Sequence, residues 1–429
     1  IDVEYESNEA SLAYERFMER NKASYELLER ATLFFMEQLK ANPQVMDYCL
    51  KNRQMSEEMI LKARLGYAPN DYSYVKSKLC QSQEEFERYV ELGLISVKTN
   101  DNGMSRDFSF FRDRLMIPLF DLKGRVIAFG ARRLTENEEV PKYINSPESP
   151  IFKKKRELFG LYECLQASHN RPEEIVVVEG YMDALLLRQA GYTNAVAALG
   201  TALTFDHVNT LYRYTKKVVL CFDGDRAGGE ATWKALQVSL PALDPNRNMG
   251  VAILPPKVDP DAFVREKGLL AFENLVGKPI NYDEAIFSYL AHRYDIADPA
   301  QQVGFLKEAL SIVHAMPYSV MQAVSLRLLQ KVLGNNFTLD TLREIMDQTE
   351  PHRDFLPKDD NKYGKAYEPA NRYGSQKRAG EVNAKRFDHD EYPRSQQQFP
   401  RQFQGGMASP NRNFGQGSYP SSAPASASA

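Results

Sequence analysis

Residues 173–183 read EEIVVVEGYMD, and residues 216–228 read KKVVLCFDGDRAG. Each opens with a short, apolar, β-branched run and ends in carboxylates beside a glycine. Such a run is a strand buried on both faces, and a helical pattern follows each one: YMDALLLRQAG after the first, GGEATWKALQVSL after the second. Between them lie a shorter apolar run, NAVAALG, and a helix over FDHVNTLYRY. A fourth strand, MGVAILPP, comes after them. Apolar strands alternating with helices predict a parallel sheet flanked by helices, so the fold class is α/β, α+β over the whole chain.

In an open parallel sheet, ligands bind beyond the carboxyl ends of the strands. Three of these strands end in acids at that edge. The first delivers Glu179, the third Asp223 and Asp225, and VAILPPKVDPD delivers Asp259 and Asp261; Asp183 sits in the helical turn after Glu179. Gathered carboxylates repel and raise one another's pKa, which a divalent cation relieves. Oxygen-only donors select hard ions, Mg²⁺ or Mn²⁺, the apparatus of two-metal nucleotidyl transfer. Local capping is the competing account. Asp259 before Pro260 makes an N-cap with proline at N1, Asp225 can cap the helix after it, and acids are favoured in any first helical turn. Capping explains each acid singly, but not why EG, DGD and DPD meet at one edge.

Outward from this sheet the pattern changes. Residues 1–68 read as helical, with Ser56 a candidate N-cap. Residues 104–134 read as a β-hairpin, RLMIPLFD and RVIAFGARRL joined by the turn signal LKG. Residues 104–160 hold 12 Lys/Arg against 8 acids, set among aromatics. That composition suits phosphates and stacked single-stranded bases, and equally suits a solvated surface. KKKRE at 153–157 is expected to open a helix. Residues 280–347 are helical again. Residues 351–429 contain two branched aliphatic residues, Leu356 and Val382, and are expected to be a disordered tail. The divisions are therefore 1–155, a basic mixed α/β subdomain; 156–278, the parallel-sheet domain; 279–350, a helical subdomain; and 351–429, the tail.

Charge and cysteines exclude little but narrow the setting. The net charge of −3 divides into 12 Lys/Arg against 8 acids in the tail and 42 against 49 before it. The four cysteines stand far apart with no CxxC, which argues against a disulfide framework or a zinc site and fits a reducing cytoplasm. No apolar run approaches the ~20 residues of a membrane span, so no membrane partner is expected. The chain begins at Ile1, which reads as a fragment or processed form.

EGYMDAL, then GTALT, then FDGDRAG together resemble the TOPRIM domain of bacterial DNA primases. RDRLMIPLFDLKGRVIAFGARRL and KYINSPESPIFKKKRELFGLY resemble the N-terminal subdomain of the same family's polymerase core, and SEEMILKARLGYAP resembles its start. The likeness runs from about residue 25 to 345. It implies that Glu179, Asp183, Asp223, Asp225, Asp259 and Asp261 carry metal, with Glu179, Asp223 and Asp225 catalytic. It also implies that Lys62, Arg132, Lys142, Asn145 and Lys154 hold template and nucleotide. By the same likeness the partners are single-stranded DNA, ribonucleoside triphosphates, the RNA primer and a replicative helicase. Zinc is expected only in an upstream domain outside this sequence. The chain departs from the family's pattern where a glycine often precedes DPD: here stand Pro256, Lys257 and Val258.

Two other classes stay open at this point. TOPRIM patterns also occur in topoisomerases and some nucleases, and a non-catalytic module whose acids only cap helices would share the local sequence. Ion binding and the need for nucleoside triphosphates separate the three.

Overall fold

The computed structural model describes residues 8–356 apart from 101, 136–138, 201 and 335. Its strands are β1 (Gly66–Ala68), β2 (Ile95–Thr99), β3 (Ser105–Ser109), β4 (Arg114–Phe120), β5 (Val126–Arg133), β6 (Tyr143–Asn145), β7 (Ile175–Val178), β8 (Ala195–Ala197), β9 (Lys217–Leu220), β10 (Asn248–Val251) and β11 (Ile280–Asn281). The expected parallel sheet is present in the order β11-β10-β9-β7-β8. β8, β7, β9 and β10 pair in parallel, and β11 closes the edge antiparallel to β10.

Side chains alternate across a strand, so each apolar run serves two cores. Val176 and Val178 of β7 and Val219 of β9 enter one core, shared with Phe35, Phe111 and Phe129 of the N-terminal part. Ile175, Val177, Val218 and Leu220 enter the other, shared with Phe287, Phe305 and Phe355 of the C-terminal helices. Burial on both faces is why these strands read as unbroken apolar runs.

The basic segment forms a second, antiparallel sheet, β1-β4-β5-β6. The β4–β5 hairpin is closed by Asp121, whose Oδ1 accepts from the Lys123 and Arg125 amides at 2.9 Å each. Helix Asn8–Lys40 backs this sheet, with Phe35 edge-on to Phe129 at 5.4 Å. The sheet seats on the helix after Glu179 at Gly130, where an added Cβ would lie 2.6 Å from the Tyr181 ring. Only a residue without a side chain allows that approach.

Several expectations from sequence are corrected. Residues 66–68 form edge strand β1 rather than more helix, and β2 pairs with β3 in a small hairpin of its own. Residues 153–157 are a turn stapled by the Lys153 carbonyl, and the helix begins only at Leu161, after Gly160 at φ +84°. The sheet reaches β11, past the division drawn at 278.

The order drawn to end at 350 continues: Pro351–Leu356 packs onto the body, with His352 N–H donating to Ser311 O at 3.0 Å and Phe355 fully buried. Counting branched aliphatics missed this, because the count left out Phe355, whose ring alone can bury about 150–250 Å². The remainder of the expected tail, 357–429, lies outside the described residues. All four cysteines are free; Cys80 is half-buried and the others buried. No helix among the described residues is long and apolar enough to cross a membrane.

Candidate active site at the carboxyl edge of the parallel sheet

The acids arrive on three loops that leave β7, β9 and β10 at the same edge. Glu179 follows β7 directly, and its Oε1 accepts from the Asp223 amide at 3.0 Å, tying the first loop to the second. Asp225 caps helix Arg226–Ser239, accepting from Gly228 N–H at 2.8 Å. Asp259 caps helix Pro260–Lys267, accepting from Ala262 N–H at 2.6 Å. Asp183 reaches back to Gly180 N–H at 3.2 Å. Asp261 is buried and pairs with Arg265 at 2.9 Å. Both accounts of these acids therefore hold at once: they cap, and they gather.

Their electrostatics record the gathering. Burial pushes the Asp183 carboxyl up to about 7, with Asp223, Asp259 and Asp261 adding repulsion. Burial raises Asp223 to about 6, reinforced by Glu179, Asp259 and Asp225. Glu179 is raised by burial and by Asp225, and Asp261 by burial and Asp259. Asp223 Oδ1 is buried with no hydrogen-bond partner. An orphaned carboxylate oxygen inside a repelling cluster is costly unless a cation takes it up.

Among the described residues no three His, Cys, Asp or Glu side chains close into a ready-made cage. Four of the acids, Glu179, Asp183, Asp225 and Asp259, spend an oxygen on a backbone amide. That suits a hard divalent cation that keeps waters and binds through one or two carboxylates plus phosphate oxygens. Asp223 and Asp225, with Glu179 or Asp259 beside them, are the residues that could hold it.

The residues expected from sequence to hold template and nucleotide do not gather in one place. Lys142 comes to the acids as the cation that draws the Asp223 carboxyl down, whereas Asn145 accepts from the Tyr181 hydroxyl and donates to Leu199 O at 3.1 Å. Arg132 lies behind them and is buried, donating from Nε to the Tyr48 hydroxyl at 2.7 Å and also to the Tyr143 hydroxyl. Its guanidinium fixes two tyrosines rather than standing open on a ridge. Lys154 is half-exposed on the turn that His207 Nε2 holds by the Lys154 carbonyl at 2.8 Å. Lys62 pairs with Glu58 at 2.6 Å, and no contact links it to the acids.

Sequence reading missed Arg53, at the end of the π-helix Tyr48–Asn52. Its charge draws Asp261 down and acts on Tyr143, and its Nε is buried without a partner. Nothing local distinguishes it; only the fold carries residue 53 to residue 261.

Two family models match the chain: "DNA primase catalytic core, N-terminal domain" over residues 34–165 and "Toprim domain" over residues 173–253. The DNA primase of Haemophilus influenzae is 36% identical over 326 residues, 76% of this chain and 52% of that protein. The chain thus spans about half the length of the curated relatives it matches. A solved DnaG primase catalytic domain bound to ssDNA is 34% identical at a TM-score of 0.66, covering 74% of this chain and 97% of that one. A DNA primase domain from Pseudomonas aeruginosa is 34% identical at a TM-score of 0.68, covering 75% and 99%.

Proposed function

The chain belongs to the bacterial DNA primase family, and we propose that it builds short RNA primers on single-stranded DNA during replication. The reaction is attack of a ribonucleotide 3′-hydroxyl on the α-phosphorus of the next nucleoside triphosphate. The bond between the α- and β-phosphates breaks and pyrophosphate leaves. The family generally uses divalent metal ions; bound at this edge, Mg²⁺ (or Mn²⁺) would lower the charge of the triphosphate and favour the ionised hydroxyl.

The protein's own part is to hold and align. Asp223 and Asp225, with a third acid from Glu179, Asp183, Asp259 or Asp261, form the ion-binding edge. Glu179 either joins them or takes the proton of the attacking hydroxyl. Lys142 and Asn145 face the triphosphate and template beside Asp223. Arg132 keeps Tyr48 and Tyr143 in place behind them, and Lys154 and Lys62 extend the cationic surface along the template. In this division residues 1–155 bind nucleic acid, 156–278 perform the chemistry and 279–350 buttress the sheet from behind. The RNA primer, a replicative helicase and the bacterial cytoplasm follow from the same reading. The similarities do not favour a topoisomerase, a nuclease or a non-catalytic module.

The orphaned Oδ1 of Asp223, beside Glu179, Asp225 and Asp259, is the observation that carries this reading. Its test is an assay of the Asp223→Ala and Asp225→Ala variants with single-stranded template, ribonucleoside triphosphates and Mg²⁺. Primer synthesis should vanish in both. Full synthesis by either variant would overturn the assignment, and strand relaxation or cleavage without triphosphates would point to the other enzyme classes.

A further inference from the structure

Lys257 stands where the chain needs a glycine. Its φ is +64°, in the left-handed region. It is the third residue of the turn Pro255–Val258, which Val258 N–H closes onto Pro255 O at 3.2 Å. A turn with proline second and positive φ third is glycine's turn. A side chain there costs about 1–2 kcal/mol.

The place of this turn matters. Lys257 N–H donates to Gly224 O at 2.7 Å, so its main chain touches the residue between Asp223 and Asp225. Its side chain is exposed, and no ion pair or side-chain hydrogen bond holds its ammonium among the described residues. Solvation explains the exposure but not the tolerance of strain. Strain kept at a site edge points to use.

We propose that Lys257 binds the polyphosphate of the incoming nucleoside triphosphate, a contact that rests on the primase reading of this edge. Carboxylates that bind cations for a triphosphate leave the outer phosphate oxygens needing positive charge from elsewhere. Lys142 approaches from the segment just before β6, and Lys257 supplies a second charge from the turn ahead of Asp259. A lysine suits the task because an ammonium binds phosphate as a point charge and needs no fixed fork geometry. The tight turn keeps the side chain's root immobile beside the acids.

The test uses the whole chain carrying Lys257→Gly, Lys257→Asn or Lys257→Arg. Glycine should raise the Tm by relieving the backbone, yet raise the KM for nucleoside triphosphate about tenfold with a smaller change in kcat. Asparagine, which tolerates the left-handed region without charge, should raise KM likewise, and arginine should keep it within about twofold. An unchanged nucleotide KM in the glycine and asparagine variants overturns the proposal, as does a rise confined to the template KM. Equilibrium binding of ATP with Mg²⁺ separates this contact from the reading beneath it. A wild-type chain that makes no primer strikes the primase reading, whereas weaker ATP binding by Lys257→Gly sustains the contact in either case.

Discussion

The amide of Gly224 donates to the carbonyl of Val258 at 2.9 Å, while the Gly224 carbonyl accepts from Lys257 at 2.7 Å. The residue inside Asp-Gly-Asp is thereby laced to the turn that introduces Asp-Pro-Asp. Two loops that leave different strands become one rigid edge, which sets the spacing of their acids.

The lacing is close. A Cβ on Gly224 would sit 2.0 Å from Pro255 O, a backbone atom with no freedom to withdraw. Gly224→Ala is expected to cost about 1–3 kcal/mol, the usual penalty of forced overpacking, and to weaken Mg²⁺ binding. Thermal melts with and without Mg²⁺ measure both. An unchanged Tm with full Mg²⁺ affinity would show that the two loops are set independently.

The acid cluster should make stability fall as pH rises. Asp183 and Asp223 titrate near about 7 and about 6 when folded, above the usual aspartate value. The folded chain therefore holds their protons more tightly than the unfolded chain. The contribution of these groups is fully present below about pH 4 and is lost as pH climbs through about 6 to 7. In EDTA the Tm should decline over that window more steeply than in Asp183→Asn, which keeps the Gly180 hydrogen bond without the charge. Mg²⁺ should restore the loss at the alkaline end, because ions bind the deprotonated acids. Parallel Tm profiles for the two proteins would contradict a raised Asp183 carboxyl.

Arg132 and Lys142 should behave oppositely. Arg132 is buried and holds two tyrosyl hydroxyls, so Arg132→Ala orphans both and should cost about 2–4 kcal/mol of stability. Lys142 is exposed, and Lys142→Ala should leave the Tm within about 1 °C while reducing the salt dependence of template binding by about one ion. Melting curves and template titrations at several salt concentrations resolve the pair. A stable Arg132→Ala with weakened template affinity would reassign that guanidinium to nucleic acid.

The end of the described chain is structural. Phe355 is fully buried and lies edge-on to Trp233 at 5.5 Å, and Trp233 stacks on Tyr289 at 4.3 Å. Trp233 rides the helix capped by Asp225. Phe355→Ala should therefore cost about 3–5 kcal/mol and shift the fluorescence of this sole tryptophan to the red. An unshifted spectrum with an unchanged Tm would return residues 351–356 to the tail.

Much of this architecture was legible because its causes are local. An apolar run of four β-branched residues must be buried on both faces, and an acid three residues before a helical amide caps it whatever lies elsewhere. Asp225 and Asp259 do so at the expected positions. The glycine missing before Asp259 was also visible, and the structure shows what stands in its region: Lys257 takes a positive φ of the kind glycine favours.

The sequence by itself determined the sheet, the edge at which its acids emerge and the basic segment ahead of them, since those depend on contacts within a few residues or on a period of two. Only the tertiary structure decided which charges face the acids. Arg132 turns inward because Tyr48 waits 84 positions away, Arg53 reaches Asp261 across the fold, and Lys62 stays with Glu58 on its own helix. A side chain's partner lies wherever packing brings it, and a long flexible cation satisfies the same local pattern inside the protein or out. The strand pattern announced the acids, whereas their spacing awaited the two hydrogen bonds at Gly224.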